Sequence, residues 1–352
     1  MQRLSDRQLY VILFIALAVV ALLSASVGAY SYSIPQMLRY VAEGAGWIPA
    51  SSTDEIQRSV FLTLRVPRVI LSALTGAVLG LSGALMQGLF RNPIVEPGLA
   101  GTSAGAAFGA ALVFVFGGTT MAFTSPLGTL AVPVVAFAGS FIATLLVYRI
   151  SSSFGKVNVF TLLLAGIAIN AVCGAGTGFL SYIARDPQAR NITFWNLGTF
   201  TDADWRSVEL VGVCFVFAFA WIRRYGKALN ALMLGEDEAA LLGINPQRLI
   251  FSLLIANTIM VATATAAVGV ISFVGLVVPH MVRMVRGPSY TFLLSSSALL
   301  GAVLLCAIDV IARVIIPPAE LPIGIITAVV GAPIFLTILL GDQRRGLAGI
   351  YG

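Results

Sequence analysis

Residues 65–107 read RVPRVILSALTGAVLGLSGALMQGLFRNPIVEPGLAGTSAGAA. The stretch opens with two arginines around a proline, continues as a long uncharged run, breaks at Arg91-Asn92-Pro93, and resumes as a second apolar run. A membrane helix needs about 20 apolar residues, and Asn-Pro is typical of a turn. The stretch therefore predicts two membrane helices, at about 66–90 and 99–117, joined by a tight polar turn.

Glycines recur at helical spacing in both predicted helices. Gly76 and Gly80 stand four apart with Gly83 beyond them, and Gly101 and Gly105 begin a stripe in the second helix. Small residues let helix backbones approach closely. Because this pattern is common in membrane proteins, the glycines alone indicate only a packed helical bundle.

The composition is that of an integral membrane protein. Of 352 residues, 58% are hydrophobic and 10% charged, whereas globular domains carry about 25% charged residues. The formal charge of +6 does not indicate nucleic-acid binding, because the basic residues are scattered between apolar runs. No cysteine lies in a CxxC pair and His280 is the only histidine, so neither a disulfide framework nor a metal site is expected.

Ten membrane segments are expected. The first, 9–32, is expected to be retained as a helix, because it is longer than the 7–15 residues of a signal-peptide core. Residues 33–64 are expected to lie outside the membrane and to contain a short helix. After the opening pair, apolar runs lie at about 127–148, 158–183, 207–222, 248–270, 271–280, 291–312 and 323–340. Ser272–Pro279 is too short to cross the bilayer and predicts a half-helix shielded by protein.

An even number of crossings places both termini on one side. Alternating the loops puts most of the 21 Lys and Arg on that side, namely Arg3, Arg7, Arg91, Arg149, Lys156, Arg223, Arg224, Lys227, Arg248, Arg283, Arg286, Arg344 and Arg345. The positive-inside rule makes that side cytoplasmic.

The ordered string is more specific than its spacing. RVPR followed by SGALMQGLFRNPIVEPGLAG resembles the signature of FecCD-type permeases, the membrane subunits of bacterial ABC importers for iron-siderophores, heme and vitamin B12. The resemblance implies an all-α polytopic permease of the type II importer fold, with about ten transmembrane helices in one domain, 1–352. It also implies helix-packing or pathway roles for Gly76, Gly80, Gly83, Gln87, Asn92, Pro93, Gly101 and Gly105.

Three arginines are candidates for docking a partner. The resemblance implies that Arg65, Arg68 and Arg313 form a positive outer pocket for glutamates of a periplasmic binding protein, a role that suits the planar guanidinium. The alternative is that these arginines only snorkel to the interface. Asp309 lies four residues before Arg313, so these two are expected to pair.

An acidic segment on the opposite side is the candidate coupling site. GEDEAALLG has acidic residues at a helix start, as the helix dipole favours, and Gly243 is expected to end the helix. The resemblance implies that this segment contacts an ATPase subunit, whereas a plain amphipathic surface helix is the alternative. The residues concerned are Gly235, Glu236, Asp237, Glu238, Ala239, Leu241, Leu242 and Gly243.

The resemblance implies a homodimer that works with two ATP-binding subunits and one binding protein in the bacterial inner membrane. No GxxxxGK[ST] loop is present, so ATP and Mg²⁺ are expected on the partner ATPase, with no cofactor and no catalytic residue in this chain. RDPQARNITFW, 185–195, most resembles heme-transporting members, and ferric siderophore or vitamin B12 is the alternative cargo. An ion-coupled secondary transporter would need ionisable residues at membrane depth, and an intramembrane enzyme would need a paired nucleophile and base.

Overall fold

The computed structural model describes residues 5–28, 30–49, 51, 54–117, 128–153, 156–317 and 319–348. Apart from a two-residue hairpin of β1 (Ser152–Ser153) and β2 (Lys156–Val157), its regular structure is helical. The α-helices are α1 (Asp6–Ser26), α2 (Ile34–Gly44), α3 (Glu55–Val60), α4 (Val66–Leu89), α5 (Thr102–Phe116), α6 (Ala131–Ser151), α7 (Val159–Ile183), α8 (Gln188–Asn196), α9 (Trp205–Arg224), α10 (Gly226–Leu232), α11 (Glu236–Leu241), α12 (Pro246–Val268), α13 (Val274–Arg286), α14 (Tyr290–Val314) and α15 (Ile323–Ala348).

The membrane segments match the ten that the sequence predicts. Within the described ranges, seven helical stretches are long and apolar enough to cross a membrane, and Thr102–Phe116 and Ile323–Thr337 are shorter apolar helices. The tenth segment is α13, whose 13 residues extend about 20 Å, well short of the ~30 Å hydrocarbon core. The all-α polytopic architecture is therefore confirmed.

The segment between the first two membrane helices holds two short helices, α2 and α3, where the sequence indicated one. A π-helical turn, Phe61–Arg65, joins α3 to α4 without a break. Tyr32, Tyr40 and Phe61 pack together under α2, and Arg58 donates to Glu43 at 2.9 Å. The aromatic cluster and this ion pair fix α2 and α3 against the end of α4.

Helix α4 lies in the middle of the bundle because its glycines remove the usual spacing between helices. A Cβ added to Gly76 would overlap the Gly301 carbonyl of α14, and one added to Gly83 would overlap the Gly275 carbonyl of α13. The second stripe does the same for α5, where a Cβ on Gly105 would lie 2.5 Å from the Gly139 oxygen of α6. Helix backbones thus lie in close contact along both stripes.

Helix α13 continues through Pro279 to Arg286, seven residues beyond the predicted end of the half-helix. A proline has no N–H, so Pro279 leaves the Gly275 carbonyl without its usual partner. The Gln87 amide supplies a donor in its place, with Nε2 at 3.4 Å from the Gly275 oxygen. Because the lost hydrogen bond is replaced from α4, the helix does not end at the proline.

Candidate transport and docking sites

A buried ion network lies at the end of the bundle where α4 begins and α14 ends. Arg68 donates to Asp309 Oδ1 from Nε at 3.0 Å and from Nη2 at 2.8 Å, and Nη1 donates to Glu320 at 2.9 Å. Arg313 Nη2 lies 3.0 Å from Asp309 Oδ2, close enough for an ion pair although not aligned as a hydrogen bond. The predicted pairing of Asp309 with Arg313 is confirmed.

Arginines of the same network cap the C-terminal end of α1. The last carbonyls of a helix have no partner within it, and α1 carries no basic residue in its last turn. Arg313 donates to the Ser24 carbonyl at 3.0 Å and to the Val27 carbonyl at 2.7 Å, and Arg65 donates to the Val27 carbonyl at 2.5 Å. Arginines from α14 and the α4 junction thus supply the cap that the sequence of α1 lacks.

The three predicted docking arginines therefore lie together, but they differ in how far their positive charge is already buried or paired within the chain. Arg313 is buried, and Arg68 is held by two carboxylates. Arg65 is half-buried and contacts only backbone carbonyls among its described hydrogen bonds. The docking role stays a prediction, and Arg65 is the member of the set whose charge is not already paired with a carboxylate.

The acidic segment at the opposite end forms a short helix, α11, as predicted. Gly235 and Gly243 flank it with φ of 144° and 79°, and the Gly243 and Ile244 N–H groups bond back to the Ala240 and Ala239 carbonyls. This is the glycine-terminated helix end that the sequence indicated. Ala239 is buried and anchors the helix to the bundle.

The end of α11 presents two exposed leucines one turn after the exposed Asp237 and Glu238. Leu241 is 89% exposed and Leu242 65% exposed, although neither lies in a membrane-length helix. Behind them, Glu236 accepts from Arg91 of the α4–α5 turn at 3.3 Å and from Gln247 of α12 at 3.4 Å. The arrangement is a rigidly mounted helix that presents two leucines away from the bundle, which suits a protein partner.

The remaining predicted positions form a support around the turn after α4. Gln87 is buried, and its Oε1 accepts a hydrogen bond from Arg283 at 2.5 Å. Its amide nitrogen donates to the backbone carbonyls of Gly275 and Leu276 in α13. Asn92 closes the turn by accepting from the Ile94 N–H at 3.0 Å, next to an exposed Pro93. Gly101 caps α5 with φ of 89°. Gly80 packs against the Ser297 backbone. A pathway role for any of these residues stays a prediction.

A polar recess that sequence reasoning missed lies beside this turn. Its volume is about 400 Å³, and its polar lining includes Glu96, Ser103, Asn170, Asn196 and Ser272. Glu96 accepts from the Phe273 N–H at 2.9 Å, just ahead of α13, and Asn170 donates to the Gly98 carbonyl at 3.1 Å. The signal available in the sequence was Glu96 itself, a carboxylate directly before the second apolar run.

Comparison with known proteins decides the family. The model of the FecCD transport family matches residues 16–341. The chain belongs to the FecCD transport family. It is 38% identical over 348 residues to the hemin transport system permease protein HmuU of Yersinia pestis, covering 98% of this chain and 99% of that protein. It is 36% identical over 333 residues to the cobalamin import system permease protein BtuC of Halobacterium salinarum, covering 92% and 86%.

The fold agrees with a solved structure of this class. A structure described as an inward-facing conformation of a metal-chelate type ABC transporter superposes with a TM-score of 0.82 at 30% identity, covering 96% of this chain and 100% of that one. The chain is thus a multi-pass permease of a bacterial ABC importer. Family membership decides against an ion-coupled secondary transporter and an intramembrane enzyme, even though Glu96 places one carboxylate among the helices.

Proposed function

We propose that this chain is the permease subunit of a heme importer, with a ferric siderophore or vitamin B12 as the alternative cargo. The observation that supports heme is the 38% identity to a hemin permease over nearly the full length of both chains. The RDPQARNITFW stretch, 185–195, which contains most of α8, supports the same cargo. The cobalamin permease at 36% identity keeps vitamin B12 as the closest rival.

In this proposal two copies of the chain form a homodimer in the bacterial inner membrane, with both termini cytoplasmic. Two ATP-binding subunits contact α11 from the cytoplasm and hold ATP and Mg²⁺, and one periplasmic binding protein docks at the arginine end. Asp6 near the N-terminus pairs with Arg286, which supports placing the N-terminus on the same side as the arginines assigned to the cytoplasm. The proposed movement is a shift between outward and inward openings, selected by nucleotide-dependent contacts.

Cargo is tested by reconstituting the permease with its cognate ATPase and binding protein in liposomes. ATP-driven uptake of heme, one ferric hydroxamate siderophore and cobalamin is measured at equal concentrations. We expect heme to be taken up and the other two to be transported poorly. Uptake of cobalamin or the siderophore with no response to heme would overturn the cargo proposal and leave the family assignment intact.

Coupling is tested on the exposed leucines of α11. Leu241→Ser with Leu242→Ser removes apolar surface but should leave the fold intact, because both side chains point away from the bundle. Ile56→Ser is the matched control, since Ile56 is 80% exposed at the opposite end of the molecule. We expect the leucine variant to insert normally and lose ATPase binding and transport, and the Ile56 variant to keep both. Full coupling in the leucine variant would refute the assignment.

A further inference from the structure

A deep groove on the bundle shares no lining residue with the polar recess. Helices α1 and α9 form its walls, and α4 and α14 form its floor. Its volume is about 760 Å³ and its lining is almost wholly apolar, with Tyr10 at one end of the α1 wall and Ala21 at the other. A groove of this size among membrane-length helices is filled by hydrocarbon in a bilayer.

The length of the groove corresponds to one leaflet. From Tyr10 to Ala21 the α1 wall rises eleven residues, or about 16 Å at 1.5 Å per residue. Half of the ~30 Å hydrocarbon core is about 15 Å. The groove is therefore long enough for one acyl chain lying along the bundle.

The surface end of the groove is polar and positive. Arg223, in the last turn of α9, lines this end and makes no ion pair with any described residue. Tyr10 lies at the same end of the groove, and tyrosine is enriched at the membrane–water interface of membrane proteins. A guanidinium at one end of an acyl-sized apolar groove matches a lipid phosphate.

We propose that this groove is a binding site for an anionic glycerophospholipid, with one acyl chain between α1 and α9 and the phosphate at Arg223. Basic pockets between membrane helices are recognised sites for anionic head groups. The site itself does not depend on the proposed cargo or orientation.

The test is native mass spectrometry of the full chain in detergent, with phosphatidylglycerol and phosphatidylcholine of identical acyl chains supplied in equal amounts. We expect the parent to retain at least one phosphatidylglycerol and to prefer it over phosphatidylcholine. Arg223→Gln should lower its retention about fivefold, as expected for one basic side chain near a phosphate. Arg224→Gln is the matched control, because Arg224 carries the same charge on the next residue and does not line the groove.

The acyl-chain half of the proposal is tested by filling the groove. Ala73→Phe places a ring on the floor, and Ala18→Phe adds the same ring to an exposed position of α1 outside the groove. We expect Ala73→Phe to lose both lipids and Ala18→Phe to lose neither, with thermal melting confirming that each variant folds. If Ala73→Phe does not fold, Ala21→Phe at the far end of the groove replaces it.

Three outcomes would overturn the proposal. Equal retention in Arg223→Gln and Arg224→Gln would mean that the positive charge acts diffusely. Equal retention in Ala73→Phe and Ala18→Phe would mean that lipid binds elsewhere on the perimeter. A parent that retains no phosphatidylglycerol would mean that protein, such as a second copy of the chain, covers the groove.

Discussion

Replacing Asp309 with asparagine should destabilise the fold far more than replacing the other carboxylate that Arg68 contacts. Asp309 is fully buried, accepts two hydrogen bonds from Arg68, and lies 3.0 Å from Arg313. Asp309→Asn keeps the shape and removes the charge, which leaves two largely buried guanidinium groups without their shared counter-ion. Breaking a buried ion pair from one side costs about 3–5 kcal/mol, and we expect a loss of this size.

Glu320→Gln provides the comparison. Glu320 contacts the same Arg68 at 2.9 Å but is 35% exposed, and a solvent-exposed ion pair contributes about 0–1 kcal/mol. The free energy of unfolding is measured for both variants by SDS titration in mixed micelles, with tryptophan fluorescence as the signal. Adding Arg68→Met to Asp309→Asn should cost less than the sum of the two single changes, by about 0.5–3 kcal/mol.

The reasoning is refuted if Asp309→Asn and Glu320→Gln fall within about 1 kcal/mol of each other. That result would mean that water reaches Asp309 and screens the network. It would also mean that the charges of Arg68 and Arg313 are available to a docking partner. The measurement therefore bears on function as well as on stability.

Three further predictions concern packing, the half-helix and docking. Gly76→Ala should lower thermal stability markedly because its methyl would overlap the Gly301 backbone, whereas Gly174→Ala, where a Cβ meets nothing within 4 Å, should be tolerated. Gln87→Leu should lower the free energy of unfolding by about 1–3 kcal/mol because it leaves the Gly275 carbonyl unpaired. Adding Pro279→Ala should recover part of this loss by restoring an N–H, and a double-mutant cycle in the same SDS titration detects the recovery. Arg65→Glu should weaken binding of the periplasmic partner more than tenfold in a surface-binding assay, and unchanged affinity would contradict the docking role.

The sequence was sufficient for the number and type of membrane segments, because a run of apolar residues or a helix too short to span is a one-dimensional property. It also located α11 and its two flanking glycines, since dipole and helix-end preferences act between near neighbours. The pairing of Asp309 with Arg313 was accessible for the same reason. Each of these features depends on residues within a few positions of one another.

What the sequence could not provide were the contacts between distant segments. Arg68 bonds to Asp309 across 241 positions and Arg313 to Ser24 across 289, and no local pattern shows that an arginine caps a helix far away in the chain. The same holds for Gln87, whose amide replaces an N–H that a proline removed from another helix.

Arg3, one of the residues assigned to the cytoplasmic side, lies outside the described residues.

Helix α4 connects the two ends of the molecule through contacts that leave little room for sliding. Its first turn carries Arg68, its middle glycines bring it against the α14 backbone, and Gln87 near its last turn supports α13. The turn that follows carries Arg91, which holds Glu236 of α11. Close-packed interfaces shift between discrete arrangements rather than deform continuously. We therefore expect α4, α13 and α14 to move as one body, so that a displacement imposed on α11 by a partner is felt at the turn after α4 rather than absorbed within α4.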